Sequence, residues 1–266
     1  MTVARTVVAE TAPEGAARVP ELSYFFPAHN EEDNLEGLVS EALETLPSLA
    51  DRFEIVIVND GSRDRTRALA DELAAAHPGV VRAVHHPTNF GYGAALRSGF
   101  RASQYELICF TDGDRQFRVI DLGRLTARIG AGDGPDVVAG FRIQRADPAI
   151  RTMYARLYRL ANRIFFGLPV RDVDCACKLF RRPALAGIRV ESGGAFFSAE
   201  LMIKLRATGA RIAEVGVPHY PRRAGSATGA RPSVVARAVK DFWSLRLRMW
   251  RDRERALRAG SAIVDG

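Results

Sequence analysis

Six apolar runs of strand length, separated by segments of helical periodicity, leave this chain few folds to adopt. The runs are LSYFF (22–26), EIVIV (54–58), VVRAVH (80–85), ELICFT (106–111), DVVAG (136–140) and RIAEVGV (211–217). Between the first two, Leu35, Leu38, Val39, Ala42, Leu43 and Leu46 follow the i, i+3, i+4, i+7 spacing of a helix with one buried face. Asn30 is placed to cap that helix, with Glu31, Glu32 and Asp33 in its first turn. Further helical patterns cover 64–76, 94–103, 119–130, 149–166 and 197–208. This alternation predicts an α/β domain whose largely parallel sheet is flanked by helices, with ligands met at the carboxyl ends of the strands.

Chemistry-bearing residues fall at those ends. The first strand leads into Pro27-Ala28-His29-Asn30-Glu31, the second into Asn59-Asp60-Gly61-Ser62, and the fourth into Asp112-Gly113-Asp114. Like charges as close as Asp112 and Asp114 raise each other's proton affinity unless a cation lies between them. Gln116 adds a neutral oxygen at the same spacing. Hard divalent cations, Mg2+ or Mn2+, take all-oxygen shells and share them with substrate phosphates, so Asp112, Asp114 and Gln116 are candidate metal ligands. The competing reading is a solvated turn, since Asp and Gly are turn formers.

NFGYGAAL (89–96) has the outline of a dinucleotide fingerprint, but Leu96 stands at the third glycine position and the segment follows the third strand. A dehydrogenase reading fails, and Gly91 and Gly93 are expected to turn the backbone tightly into a helix. His85 and His86 point to opposite strand faces and cannot easily clamp one metal. His219 is read as a packed or surface residue, and Cys109, Cys175 and Cys177 as reduced thiols without a redox or zinc spacing. No run reaches the ~18 apolar residues of a membrane-spanning helix, and residues 1–20, without a signal-peptide core, read as a flexible tail of a cytoplasmic chain.

PAHNEEDNL, IVNDGSRDRT, NFGYGAALRSG, FTDGDRQF, AGFR, VRDVDCACKLFRR and HYPRRAGSATG occur in this order over residues 21–230. Together they resemble family 2 glycosyltransferases of the GT-A fold, most of all the branch with dolichol-phosphate mannosyltransferase and the bacterial polyprenyl-phosphate glycosyltransferases. The resemblance implies nucleotide-sugar contacts from Pro27, His29, Glu31, Val58, Asp60, Asp112, Gly113 and Asp114, with the metal at Asp112, Asp114 and Gln116. It places Arg142, Arg151 and Arg222 at positions that hold phosphates, and makes Asp114, Arg142 and Arg222 the residues of the transfer step. The sequence departs from the family pattern at His29, usually tyrosine, at Asn59, usually aspartate, and near Thr228, where a lysine often stands. His29 is read as a capping or stacking residue in preference to a general base.

Family members acting on hydroxyl acceptors often carry a Glu-Asp pair ahead of an apolar helix, whose aspartate is the base. The matching stretch, Phe197-Ser198-Ala199-Glu200-Leu201, has no aspartate. A phosphomonoester, with a second pKa of about 6, is already ionised near neutrality and needs no base. Cations need only position it, and guanidinium forks match its oxygens. The expected reaction is therefore an inverting hexosyl transfer from a GDP-mannose or UDP-glucose type donor to a polyprenyl phosphate. The alternative is a family 2 enzyme acting on a soluble natural product or glycan.

The chain carries a formal charge of +7, and residues 231–258 hold nine Lys or Arg against three Asp or Glu. A nucleic-acid-binding module would use that charge but leaves the carboxylates of FTDGDRQF unexplained, and a nucleotidyltransferase lacks its glycine-rich basic loop after the first strand. Ile150, Met153, Leu157, Leu160 and Ile164 form one helical stripe, flanked by Arg151, Arg156, Arg159 and Arg163. Val235, Val239, Phe242, Leu245 and Met249 form a second, beside Trp243 and Trp250 in the basic segment 231–266. Such helices suit an anionic membrane surface, here the cytoplasmic face, or pack on the core with a solvated basic side.

Overall fold

Valine, isoleucine and phenylalanine dominate the central predicted strands, the pattern of strands covered on both faces, while VVRAVH and RIAEVGV carry charged residues. The structure, a computed structural model, describes residues 18–130, 133–143, 149–222, 232–251 and 261–262; for 149–155, 232–233 and 261–262 it describes the backbone alone. From the amino end come β1 (Val19–Ala28), α1 (Glu32–Leu49), β2 (Ala50–Asn59), α2 (Thr66–Ala76), β3 (Val81–His85), α3 (Tyr92–Ala102) and β4 (Leu107–Phe110). A 3-10 turn, Val119–Asp121, opens α4 (Leu122–Ile129), followed by β5 (Val137–Arg142) and α5 (Ala149–Phe166). Then come β6 (Lys178–Arg181), α6 (Arg182–Leu185), β7 (Arg189–Val190), α7 (Phe197–Ala207), β8 (Ile212–Val217), α8 (Pro232–Arg251) and β9 (Ser261–Ala262).

Seven strands form one sheet in the order β3-β2-β1-β4-β6-β5-β8, and β7 pairs with β9 apart from it. Only β6 runs against its neighbours, pairing antiparallel with β4 and β5. The chain steps outward from β1 through β2 to β3, then returns past β1 to β4. With right-handed crossovers, that reversal puts α1 and α2 on one face and α3 on the other. The carboxyl ends of β1 and β4 therefore border the switch point, where open α/β sheets take their ligands.

Under that crevice, Phe25, Phe100, Phe110 and Phe180 meet with ring centroids 5.0–6.1 Å apart, which ties α3 to β1, β4 and β6. All four are fully buried, and each contributes roughly 1.5–3 kcal/mol through burial. Phe110 ends β4, so this packing fixes where the following carboxylates emerge.

Three local expectations are revised. Lys178–Arg181 is a four-residue strand with arginine at its end, too short and too charged to stand out as one of the apolar runs. Asn30 does not cap α1: it has a left-handed φ of 56° and its Oδ1 accepts the Arg63 N–H at 2.9 Å. The α1 end is instead met by Thr66, whose hydroxyl accepts the Glu31 N–H, and by Asp64, which accepts that of Glu32. The C-terminal stripe divides, with Phe242 and Leu245 buried while Val235, Val239, Trp243 and Trp250 stay exposed. Leu157, Leu160 and Ile164 of α5 are exposed as well.

Candidate active site

β4 delivers Asp112, Gly113 and Asp114 against the end of β1. A Cβ at Gly113 would stand 2.6 Å from the Pro27 carbonyl oxygen, so only glycine allows the two strand ends this close. Thr111, directly before, is held by the buried Tyr24 hydroxyl at 2.7 Å. Asp112 is partly buried, and its Oδ1 accepts the Tyr92 hydroxyl at 3.0 Å. Burial, and after it the charge of Asp114, pushes the Asp112 carboxyl up to about 6.

Asp114 is nearly buried and its oxygens are both engaged: Oδ1 accepts the Gln116 N–H at 3.1 Å, and Oδ2 pairs with Arg222 Nη2 at 2.6 Å. Arg222 arrives because the segment after β8 is sewn to the segment after β4. The Tyr220 N–H donates to the Gln116 carbonyl at 2.9 Å, and the Gln116 side-chain amide donates to the Tyr220 carbonyl at 3.2 Å. His219 packs edge-on to Phe117, 5.3 Å between centroids, and the Arg118 guanidinium lies 4.7 Å over the Tyr220 ring. Arg222 Nη1 also approaches Glu31 at 4.0 Å. Burial, together with the nearby Asp114 charge, raises the Glu31 carboxyl above its usual range although Asn34 donates to it.

Asp60, just past β2, ties the start of α3 to the end of β2. Its Oδ1 accepts from His86 Nδ1 at 2.7 Å and the Phe90 N–H at 2.9 Å, and its Oδ2 accepts the Gly91 N–H at 2.9 Å. Gly91, at a φ of 93°, starts α3 as the sequence predicted, and Tyr92 follows at once. Any nucleotide contact by Asp60 thus begins from a carboxylate bonded on both oxygens. Pro27 is half-buried, and His29 is exposed with Nδ1 2.9 Å from the Asp60 carbonyl. Val58 is fully buried beside Pro27, so its side chain belongs to the core and not to the surface a nucleotide meets. His85 turns away to Asp71 at 2.9 Å, as alternation requires.

Arg142, at the end of β5, is gripped by Asp172 through two bonds, Nε to Oδ2 at 2.7 Å and Nη2 to Oδ1 at 2.8 Å. Burial opposes its charge, but Asp172 overcomes this and holds the guanidinium above its usual value. Arg151 lies in α5, its side chain outside the described residues, as does the stretch 223–231 with Thr228. Lys178 was missed as a site neighbour: fully buried, it donates to the Val173 carbonyl at 3.0 Å and to that of Cys175, with its ammonium 5.8 Å from the Phe110 ring centre. Desolvation lowers its pKa, and Asp112 and Asp172 are among the charges opposing that. Tyr92 was missed too, because nothing local to GYG marks a contact with a residue twenty positions on.

Glu200 is sealed from solvent. It pairs with the equally buried Lys204 at 2.8 Å and accepts the Glu191 N–H at 3.0 Å and the Ser192 N–H and hydroxyl at 2.9 and 2.5 Å. Burial alone would raise its pKa, but these partners bring it below the usual value. The three cysteines are free and buried.

Among the described residues, no three Asp, Glu, His or Cys side chains form a ready cation cage. The oxygens of Asp112, Asp114 and Gln116 nevertheless fit a hard divalent ion that completes its shell with ligand phosphates and water. Burial, more than the Asp114 charge, raises the Asp112 carboxyl, and a cation there would favour its ionised form.

Comparison with known proteins bears on the family and the fold. Glycosyltransferase AglD of Haloferax volcanii is 32% identical over 210 residues, covering 76% of this chain and 33% of that protein. Undecaprenyl-phosphate 4-deoxy-4-formamido-L-arabinose transferase of Pseudomonas aeruginosa strain LESB58 is 35% identical over 161 residues, covering 60% of this chain and 47% of that protein. The chain thus spans a third to about half the length of these curated relatives. Glucosyl-3-phosphoglycerate synthase of Mycobacterium tuberculosis, bound to phosphoglyceric acid, superposes with a TM-score of 0.64 at 21% identity, covering 86% of this chain and 80% of that one. The same enzyme bound to Mn2+, uridine diphosphate and glucosyl-3-phosphoglycerate superposes with a TM-score of 0.60 at 21% identity, covering 88% and 80%. The architecture is the GT-A fold. Residues 23–189 match Glycosyl transferase family 2, and the chain belongs to that family.

Proposed function

We propose that this chain transfers a hexose, with inversion, from a nucleoside diphosphate sugar to a polyprenyl phosphate, with Mg2+ or Mn2+ at the end of β4. The donor nucleotide would lie along Pro27, His29, Glu31 and the segment that Asp60 holds, with its diphosphate toward Asp112, Gly113 and Asp114. Asp112, Asp114 and Gln116 would hold the ion, which as a Lewis acid offsets the charge growing on the leaving diphosphate. Arg222, already at Asp114, and Arg142, oriented by Asp172, would hold phosphate oxygens, with Arg151 as a third cation.

Glu200 carries the choice of acceptor. In the stretch 197–201, which resembles the family's base motif, the only carboxylate is Glu200, and it is buried and committed to Lys204 and Ser192. A phosphate acceptor attacks as an anion and asks for no proton transfer. A relative 35% identical over 161 residues is an undecaprenyl-phosphate sugar transferase, which supports the same acceptor class. The exposed apolar and basic residues of α5 and α8 suit a chain that meets such a lipid at a membrane surface. Among the described residues no helix is long and apolar enough to cross a membrane.

The test is a panel of radiolabelled UDP- and GDP-sugars incubated with the chain, Mn2+ and polyprenyl phosphate. Label passing into the lipid phase with one donor is expected. Label transferred only to a soluble acceptor, or to none, refutes the proposal.

A further inference from the structure

A cleft of about 530 Å³ opens beside α5, and four of its lining residues are Arg156, Arg159, Arg163 and Arg171. The spacing of the first three, i, i+3 and i+7, sets them along one side of the helix. Arg171 comes from the segment after α5 and is held in place: its N–H donates to Glu214 at 2.7 Å and its guanidinium lies 4.7 Å over the Phe141 ring. Leu168 and Val170, both buried, give the cleft a firm apolar floor.

Charge in the cleft is unbalanced. Among the described residues, Arg156, Arg159 and Arg163 make no ion pair; Glu214 pairs with Arg171 at 4.0 Å and feels the charge of Arg159, and the neighbouring Asp172 is committed to Arg142. Converging guanidinium groups repel one another unless an anion joins them, and their forks match phosphate oxygens.

Beside the cleft runs an apolar ridge. Leu157, Leu160 and Ile164 are 55%, 52% and 67% exposed, large values for aliphatic side chains. Phe165 extends the ridge to α8 by packing 5.1 Å from Trp243, itself 47% exposed. A free phosphate would satisfy the arginines and leave this ridge in water, and a nucleic acid would do the same. A lipid satisfies both.

We infer that the Arg156–Arg159–Arg163–Arg171 cleft seats the phosphate headgroup of an acidic phospholipid, with the α5–α8 ridge in the acyl boundary beside it. This inference rests on the lipid-acceptor reading above, since it places the chain on the surface where a polyprenyl phosphate resides. The headgroup phosphate is a docking ligand here, separate from the acceptor phosphate at Arg222.

The experiment is co-sedimentation of the whole chain with phosphatidylcholine vesicles, with and without phosphatidylglycerol, at fixed ionic strength. Arg159→Gln with Arg163→Gln is compared with Arg67→Gln and Arg128→Gln, an equal charge loss on α2 and α4. The wild type should prefer the anionic vesicles. The cleft variant should bind them about thirty-fold more weakly and the control within about three-fold of wild type, since each basic residue near an anionic surface is worth about five-fold. Transfer to a short, water-soluble prenyl phosphate without vesicles should be equal in all three. Equal losses in both variants, wild-type binding by the cleft variant, or no preference for anionic vesicles overturns the inference. So does inorganic phosphate that saturates the wild type, but not the cleft variant, and releases it from vesicles. If no prenyl phosphate is glycosylated while the vesicle results hold, the acceptor reading fails and the headgroup site stands.

Discussion

Arg222 and Asp114, 108 residues apart in sequence, meet at 2.6 Å where β4 ends, so a cation and the carboxylate expected to hold a metal form a closed pair. The pair holds the Asp114 side chain in place. Under the proposed function Asp114 would hold the divalent ion and Arg222 would then be available to phosphate oxygens. Asp114→Asn and Arg222→Gln are each expected to lower turnover by about 10²-fold, the usual loss for a group that stabilises transition-state charge. A double variant should lose far less than the product of the two, because the residues act as a unit. Steady-state kinetics on the four proteins measures this, and multiplicative losses would show that they act separately.

Tyr92 orients Asp112 through one hydrogen bond of 3.0 Å. Tyr92→Phe removes the hydroxyl and keeps the ring, so stability should fall by only about 1 kcal/mol. The Mn2+ concentration giving half-maximal activity should rise several-fold while kcat at saturating Mn2+ changes little. An unchanged Mn2+ requirement would reduce Tyr92 to packing.

Asp112 titrates at about 6 in the folded chain against 3.8 for an ordinary aspartate. Between those values the folded protein keeps a proton that the unfolded chain releases, so this group's contribution to stability falls as pH rises toward 6 and levels off above it. A bound cation reverses the preference because it requires the carboxylate. Divalent-ion affinity, followed by calorimetry, should therefore be flat above about pH 6.5 and fall by up to about ten-fold per pH unit below 6. Affinity independent of pH from 5 to 7 would show that Asp112 is not a ligand.

Glu200 distinguishes a structural carboxylate from a base. Glu200→Gln leaves the Lys204 ammonium, 0% exposed, without its counter-charge, and breaking such a buried pair costs about 3–5 kcal/mol. At about 2–4 °C per kcal/mol for a chain of this size, the melting temperature should drop by roughly 10 °C. Turnover per folded molecule, measured well below that temperature, should stay within a few-fold of wild type. A variant that melts normally and is inactive would make Glu200 the base and favour a hydroxyl acceptor.

The sheet was legible because each long strand carries an apolar run, and the carboxylate site because GT-A strand ends concentrate it in short motifs. Contacts between distant segments were not. Arg142 is gripped by Asp172, thirty residues on, and no local pattern in AGFR or VRDVD announces that pairing. The Asn30 side chain has the right chemistry for a helix cap, yet its left-handed backbone turns it toward Arg63. Lys178–Arg181 inserts between β4 and β5 because both offer open edges, a property of the assembled sheet and not of those four residues. The membrane-facing stripe was half legible: periodicity finds an amphipathic helix, but it cannot tell that Phe242 and Leu245 turn inward while Trp243 turns out.

Titration calorimetry of UDP and GDP into the purified chain, with and without Mn2+, bears most directly on the β4 site. One of the two should bind at one per chain, and Mn2+ should strengthen that binding at least about ten-fold by joining the diphosphate to the carboxylates. Asp112→Ala should abolish the Mn2+ effect. Nucleotide binding indifferent to Mn2+, or no binding of either diphosphate, would contradict a metal-held nucleotide sugar at Asp112 and Asp114.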